Sequence, residues 1–311
     1  MKQMFLGLML PLIAVAGTQA AIQPTTNDYT QYVNPFIGTG GHGHVFLGAN
    51  VPFGHIQAGP TQKKQGWDWC SGYHYSDSII IGFGQLHLSG TGIGDLGDIA
   101  LLPVTKSDVR EVKFSHKAEY ATPGYYAVTL ANGVRVELTA TQRTAFHRYT
   151  FPADARQEQV VLDLAQGVGW DKMTACTLQQ EGQNTIVGSR FSTGWAKDQR
   201  VFFVAEFSQP ITHRTKEGDS LSVLSFEPTG QPLMVKVGIS SVSIDNARKN
   251  LQQELPNWNF NAIVTEAQTA WNKELGKIAM STEVPMARPI MATLRPIPPS
   301  HYGTLIVQRT P

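Results

Sequence analysis

YYAVTL (125–130) and VRVELTA (134–140), two β-prone runs, flank Asn132-Gly133. That arrangement is the strongest short-range signal for a β-hairpin. It opens a longer series of the same kind: QVVLDL (159–164), TIVGSRF (185–191), RVFFVAEF (200–207), LSVLSF (221–226) and LMVKVGIS (233–240). Short strands at close spacing, separated by turn residues, pack as two antiparallel layers, so residues 21–244 are expected to form a mainly β, antiparallel β-sandwich. The 29 glycines and 18 prolines suit many turns and argue against a helical bundle.

The period changes after the last strand. DNARKNLQQEL (245–255) opens on Asp245, a suitable N-cap, and ends before Pro256. AIVTEAQTAWNKELGKIAM (262–280) puts Ile263, Ala267, Ala270, Trp271, Glu274 and Ile278 on one helical stripe. Residues 245–281 therefore read as a short helical linker. Residues 282–311 hold six of the prolines without any hydrophobic period and read as a disordered, aberrant tail.

At the other end, MKQMFLGLMLPLIAVAGTQA has a basic Lys2, an apolar run and small residues before Ala20. Residues 1–20 are expected to be a signal peptide, which places the chain in the periplasm or outside the cell. A net charge of +1 without a basic run disfavours nucleic acid and anionic membranes as partners. Cys70 and Cys176 make no disulfide framework and are expected to be separate buried thiols.

Gly38–Gly43 and Gly92–Gly97 each match G-x-G-x-x-G, but neither precedes a helix, so tight loops are expected in place of a nucleotide site. His42, His44, His55, His74 and His87 cluster in sequence. A His-x-His pair serves zinc only if a third ligand converges; hydrogen bonding to a polar ligand and simple loop filling are the other readings. Asp95 and Asp98 are expected to close their loop through backbone amides. The most specific stretch is GWDWCSGYHYSD (66–77). Sugars present apolar C–H faces to aromatic rings and hydroxyl rims to polar groups. In an extended segment Trp67 and Trp69 would point one way and Asp68 the other.

YVNPFIGTGGHGHVFLGANVPFG, GWDWCSGYHYSDSIIIGF and HLSGTGIGDLGDIALLPV resemble the N-terminal part of glycoside hydrolase family 92, the calcium-dependent, inverting exo-α-mannosidases. The resemblance covers roughly residues 30–280. It implies an N-terminal β-sandwich, a helical linker and a C-terminal (α/α)6 barrel carrying the acid, the base and most calcium ligands. That barrel is expected to be absent here, the tail from 282 being a frameshifted or mis-called end. No catalytic residue and no bound calcium are then expected in this chain. The resemblance makes Trp67 an aromatic platform and Asp68, His74 and His87 hydrogen-bonding groups of the same wall. His42 and His44 would line the loop, while Gly40, Gly41 and Gly43 let backbone approach an α-mannoside glycan. Gly84-Gln85-Leu86 departs from the Ser-His-Thr-like run of relatives. A separate barrel chain is a further candidate partner; a free mannose-binding module or a non-functional remnant are the alternatives to a mannosidase fragment.

Overall fold

The computed structural model describes residues 28–278, and the backbone of 292–294 and 305–307. The signal-peptide reading and most of the tail fall outside them. Fourteen strands build the main body: β1 (Gly59–Gln62), β2 (Ile79–Gly84), β3 (Ala100–Val104), β4 (Val112–Thr122), β5 (Tyr125–Leu130), β6 (Arg135–Ala140) and β7 (Thr144–Thr150), then β8 (Glu158–Asp163), β9 (Lys172–Glu181), β10 (Thr185–Thr193), β11 (Gln199–Phe207), β12 (His213–Glu217), β13 (Leu221–Phe226) and β14 (Leu233–Ser240). They form one antiparallel hydrogen-bonded path folded into two layers. The first layer runs β12-β13-β8-β3-β2, with β1 also on β2; the second runs β5-β6-β7-β14-β11-β10-β9.

Strand β4 joins the layers. Val112 and Lys113 pair with β2, and Glu119–Thr122 pair with β5. Between Phe114 and Glu119 the register breaks, so the strand bends and re-aims the intervening side chains.

Alternation explains what each face buries. On β14, Leu233, Val235, Val237 and Ile239 enter the core between the layers, with Phe203 and Phe207 of β11 and Val136 and Leu138 of β6. Leu101, Val160, Leu162 and Leu224 meet them from the first layer. Two aromatic pairs span the gap, Phe83 with Tyr126 and Phe207 with Phe226. The opposite face of the second layer is also covered. Helix α1 (Ile244–Glu254) sets Ala247 and Leu251 on Val187 and Val204, while Phe260 and Ile263 of helix α2 (Phe260–Leu275) pack on Phe146.

The helices differ in detail from the sequence reading. Ser243, not Asp245, caps α1 by accepting from the Asn246 amide. Helix α2 buries Phe260, Ile263, Ala267, Trp271 and Leu275, whereas Ile278 is exposed beyond its end. Trp271 Nε1 donates to the Asn50 carbonyl at 2.8 Å, tying α2 to the loop before β1. In the hairpin, Gly133 takes φ +83° and donates to Leu130. The connection is a turn closed by a left-handed glycine. Two further strands, β15 (Ala292–Leu294) and β16 (Leu305–Val307), pair with each other in the segment read as an unstructured tail; neither contains a proline.

Candidate functional site

The site is built from the loops that precede and follow β1 and β2. Residues 66–70 do not extend. Trp67–Trp69 form a single 3-10 turn after Gly66, whose φ of +145° admits no ordinary side chain. The turn separates the two indoles. Trp67 is 61% exposed, and Trp69 is 8% exposed beneath the ring of His74 at 4.3 Å. This corrects the expectation that both rings face one way: in a three-residue turn, neighbours two apart no longer share a face.

Trp67, Asp68, His42 and His44 come together. His42 Nδ1 lies 2.6 Å from Asp68 Oδ1, and His44 Nε2 lies 3.7 Å from the same oxygen. The His44 ring meets the edge of Trp67 at 4.2 Å, and His42 lies tilted beside it at 5.2 Å. The hydrogen bond from His42 chiefly holds the Asp68 carboxyl below its ordinary pKa, so it stays an acceptor at neutral pH. His44 Nε2 is buried without a hydrogen-bond partner. Its backbone is left-handed at φ +55°, held by Ser71 Oγ and the Gly90 amide, which both donate to its carbonyl at 2.6 Å. Such strain in a non-glycine residue persists only where the surroundings impose it, and functional sites are where it collects.

The other histidines support the loops from within. His74 Nε2 donates to the Gly41 carbonyl at 3.0 Å, and its Nδ1 accepts from Ser76. His87 donates from Nδ1 to the Gln57 carbonyl and accepts at Nε2 from Thr61 Oγ1, both at 2.9 Å. Burial lowers its pKa to about 4. In this arrangement both rings use both nitrogens on the protein itself and brace the surrounding loops. Gln85 is likewise internal. Its Nε2 donates to Phe83 and Ile99, so its Oε1 accepts from His147 Nε2 across the sandwich.

The glycines divide in the same way. A Cβ on Gly43 would sit 1.8 Å from the Gly38 carbonyl oxygen, so that glycine serves the loop's own packing. Gly41, at φ +59°, has open space around its Cβ position. Sequence reasoning missed two exposed tryptophans. The Trp170 amide donates to the Gly94 carbonyl and the Trp195 amide to Asp95, so both flank the loop that places Gly92 beside Trp67. Each stands after a glycine in a turn, the signal that could have found them.

Asp95 closes its loop as expected, accepting from the amides of Leu96 and Trp195 and from Gln199 Nε2. Asp98 does not bind amides. It pairs at 2.5 Å with Arg190, whose guanidinium is wholly buried and also contacts Asp171. Burial raises Asp98 to about 6 against the pull of Arg190. Cys70 is buried and Cys176 half-buried, both free. Among the described residues no group of three or more His, Cys, Asp and Glu side chains is placed to hold a metal ion, and the neighbours of Asp68 are imidazoles, whereas calcium takes oxygen ligands. A cavity of about 310 Å³, lined in part by His55, Leu86, Asp198 and Arg200, includes none of His42, His44, Trp67 or Asp68.

The family model described as the glycosyl hydrolase family 92 N-terminal domain matches residues 32–240, and the family 92 catalytic domain matches 246–292. The chain belongs to glycosyl hydrolase family 92. A family 92 alpha-mannosidase from Bacteroides thetaiotaomicron, solved with mannoimidazole, is 33% identical with a TM-score of 0.77, covering 83% of this chain and 38% of that one. An inverting family 92 mannosidase from the same organism is 28% identical with a TM-score of 0.71, covering 83% of this chain and 37% of that one. A protein of Arthroderma benhamiae described as an uncharacterized secreted glycosidase is 27% identical over 82% of this chain and 39% of its own length. The family 92 chain described here thus spans under two fifths of these relatives.

Proposed function

We propose that this chain supplies the substrate-holding wall of an exported α-mannosidase and does not hydrolyse glycosides by itself. The observation that carries this reading is the exposed Trp67 ring beside Asp68, His42 and His44, a stacking face flanked by hydrogen-bonding groups. Such a face takes the C–H surface of a sugar, while Asp68 and the imidazoles take its hydroxyls. The mannosidases among its relatives make terminal α-linked mannose the sugar of choice. Inverting hydrolysis needs two carboxyl groups on opposite sides of the bond, one protonated. Asp68 is held as the ionised form by its histidine, so it binds and orients but does not donate a proton. Export is supported by the apolar N-terminal run and by the secreted relative; no helix among the described residues is long and apolar enough to cross a membrane. The opposing acid and base belong to a barrel, either in a longer form of the chain or in a separate chain.

Calorimetric titration of the chain with α-mannobiose and with cellobiose tests the reading. Heat is expected from the mannoside alone, and binding is expected to be weak because one wall desolvates only part of the ligand. Chromatography of the same mixtures should show no free mannose, with or without calcium. Equal heats from both disaccharides would remove mannose selectivity. Mannose release by the chain alone would overturn its assignment as a non-catalytic wall.

A further inference from the structure

The bend in β4 builds a second polar cluster that the site above does not use. Where the register breaks between Phe114 and Glu119, His116 and Glu119 meet Tyr73 and Tyr126. The Glu119 side chain is wholly buried. It accepts from Tyr73 at 2.9 Å, from Tyr126 at 2.7 Å and from His116 Nδ1 at 2.8 Å. Three donors on one carboxylate fix its orientation. They also fix the imidazole: with Nδ1 donating to Glu119, Nε2 is the ring nitrogen left for a further partner. Nε2 has no hydrogen-bond partner among the described residues and is not sealed from solvent.

His116 lines an open cavity of about 480 Å³ with Asn34, Phe36, Thr39, Gly40 and Tyr75. Tyr75 lies flat on His116, ring centroids 4.1 Å apart at 14°, yet remains 47% exposed. Phe36 braces it edge-on at 6.1 Å. The Tyr75 amide donates to the Thr39 carbonyl at 2.8 Å, pinning the platform to the same glycine-rich loop that carries His42 and His44. A bulge that re-aims a histidine, a buried carboxylate that sets its tautomer, and an exposed ring stacked on it are together more than packing requires.

We propose that this cavity is a second sugar-binding subsite, in which Tyr75 stacks on one pyranose ring and His116 Nε2 accepts from one of its hydroxyls. Its size suits one sugar unit, and its one carboxylate is already saturated by the protein, so a neutral polyhydroxylated ligand fits better than a charged one. Because Thr39 and Gly40 line it while His42 and His44 reach Trp67 and Asp68, one glycan with two mannose units or branches could engage both sites across the loop. That bivalent arrangement rests on the mannoside reading given above.

Histidine-resolved and indole-resolved NMR of the intact chain, titrated with α-mannotriose, separates the two sites. The His116 ring signals should shift with added sugar. Tyr75→Ala should weaken that titration by about tenfold, the loss of one stacking face, whereas Tyr75→Phe should keep it. Trp67→Ala should leave a His116 response in place. His116 signals that stay fixed overturn the second subsite: if Trp67 still responds, the first site stands, and if neither responds, both readings fall. A His116 response that survives Tyr75→Ala unchanged also overturns it, because the sugar then does not rest on that ring.

Discussion

Replacing Arg190 with methionine is expected to cost about 3–5 kcal/mol of folding stability at pH 7, read from urea midpoints. Arg190 is surrounded by acceptors: Asp98, Asp171 and the carbonyls of Leu164 and Gln166. Methionine fills much of the volume but leaves two buried carboxylates with no counter-charge. One oxygen of Asp98 already lacks a partner. The acid side of the experiment carries its own sign. Burial raises Asp98 to about 6, well above the ordinary carboxylate range, so the folded chain binds its proton more tightly than the unfolded chain. Its contribution to stability therefore grows as pH falls from about 6 towards 4. Without Arg190 that shift is larger, and the gap between variant and wild type should narrow at pH 5. A loss below about 1 kcal/mol, or one that does not change with pH, would contradict the assignment of Arg190 as the charge that holds these loops.

The wild-type chain should in turn lose about 2–3 kcal/mol between pH 7 and pH 5. Burial depresses His87 to about 4 and His147 to about 3. His147 sits in the core, accepting from Tyr149 at Nδ1 and donating to Gln85 from Nε2, a neutral ring with no room for a second proton. In the unfolded chain both imidazoles return to about 6.5. From that pH downward the unfolded state takes up protons that the folded state refuses, and the two residues together remove about 4 kcal/mol by pH 5. Asp98 runs the other way and returns about 1.4 kcal/mol over the same interval, with Glu158, also raised by burial, adding in its direction. The histidines win because there are two of them and their shifts are fully developed in buried sites. Thermal unfolding followed at pH 7 and pH 5 decides the matter: stability that is flat or higher at pH 5 would show that these rings are not neutral core groups.

Both effects come from side chains that the sequence disguised. Arg190 lies in TIVGSRF two residues beyond Gly188 on the face of Ile186, where its charge argues for solvent, yet it points inward at Asp98 and Asp171. His74 and His87 looked like ligand-facing groups in a histidine-rich segment, and they are internal braces, because burial by distant loops leaves no local trace. Strands with a clean two-residue period were legible almost to the residue, as in LSVLSF and LMVKVGIS. Strands β9 and β12 were not. They form the two ends of the sheet path, where KMTACTLQQE and HRTKE bury little and edge positions favour polar residues. The long β4 was hidden for another reason: its bulge breaks the period in the middle. At the site, the unusual mixture in GWDWCSGYHYSD drew attention to Trp67 and Asp68, and the fold sets them side by side with His42 and His44 at the surface. The turn that splits Trp67 from Trp69 depends on Gly66 and on contacts with His74, and no period announces it.

On the function proposed above, Trp67 is the ring on which an α-mannoside rests. Calorimetric titration of α-mannobiose into the wild-type chain and into Trp67→Ala tests it most directly. Trp67 is exposed, so the variant should fold with an unchanged melting temperature. Measurable binding is expected for the wild type, with an affinity about tenfold weaker, or lost, in the variant. Equal affinities for the two proteins would contradict it.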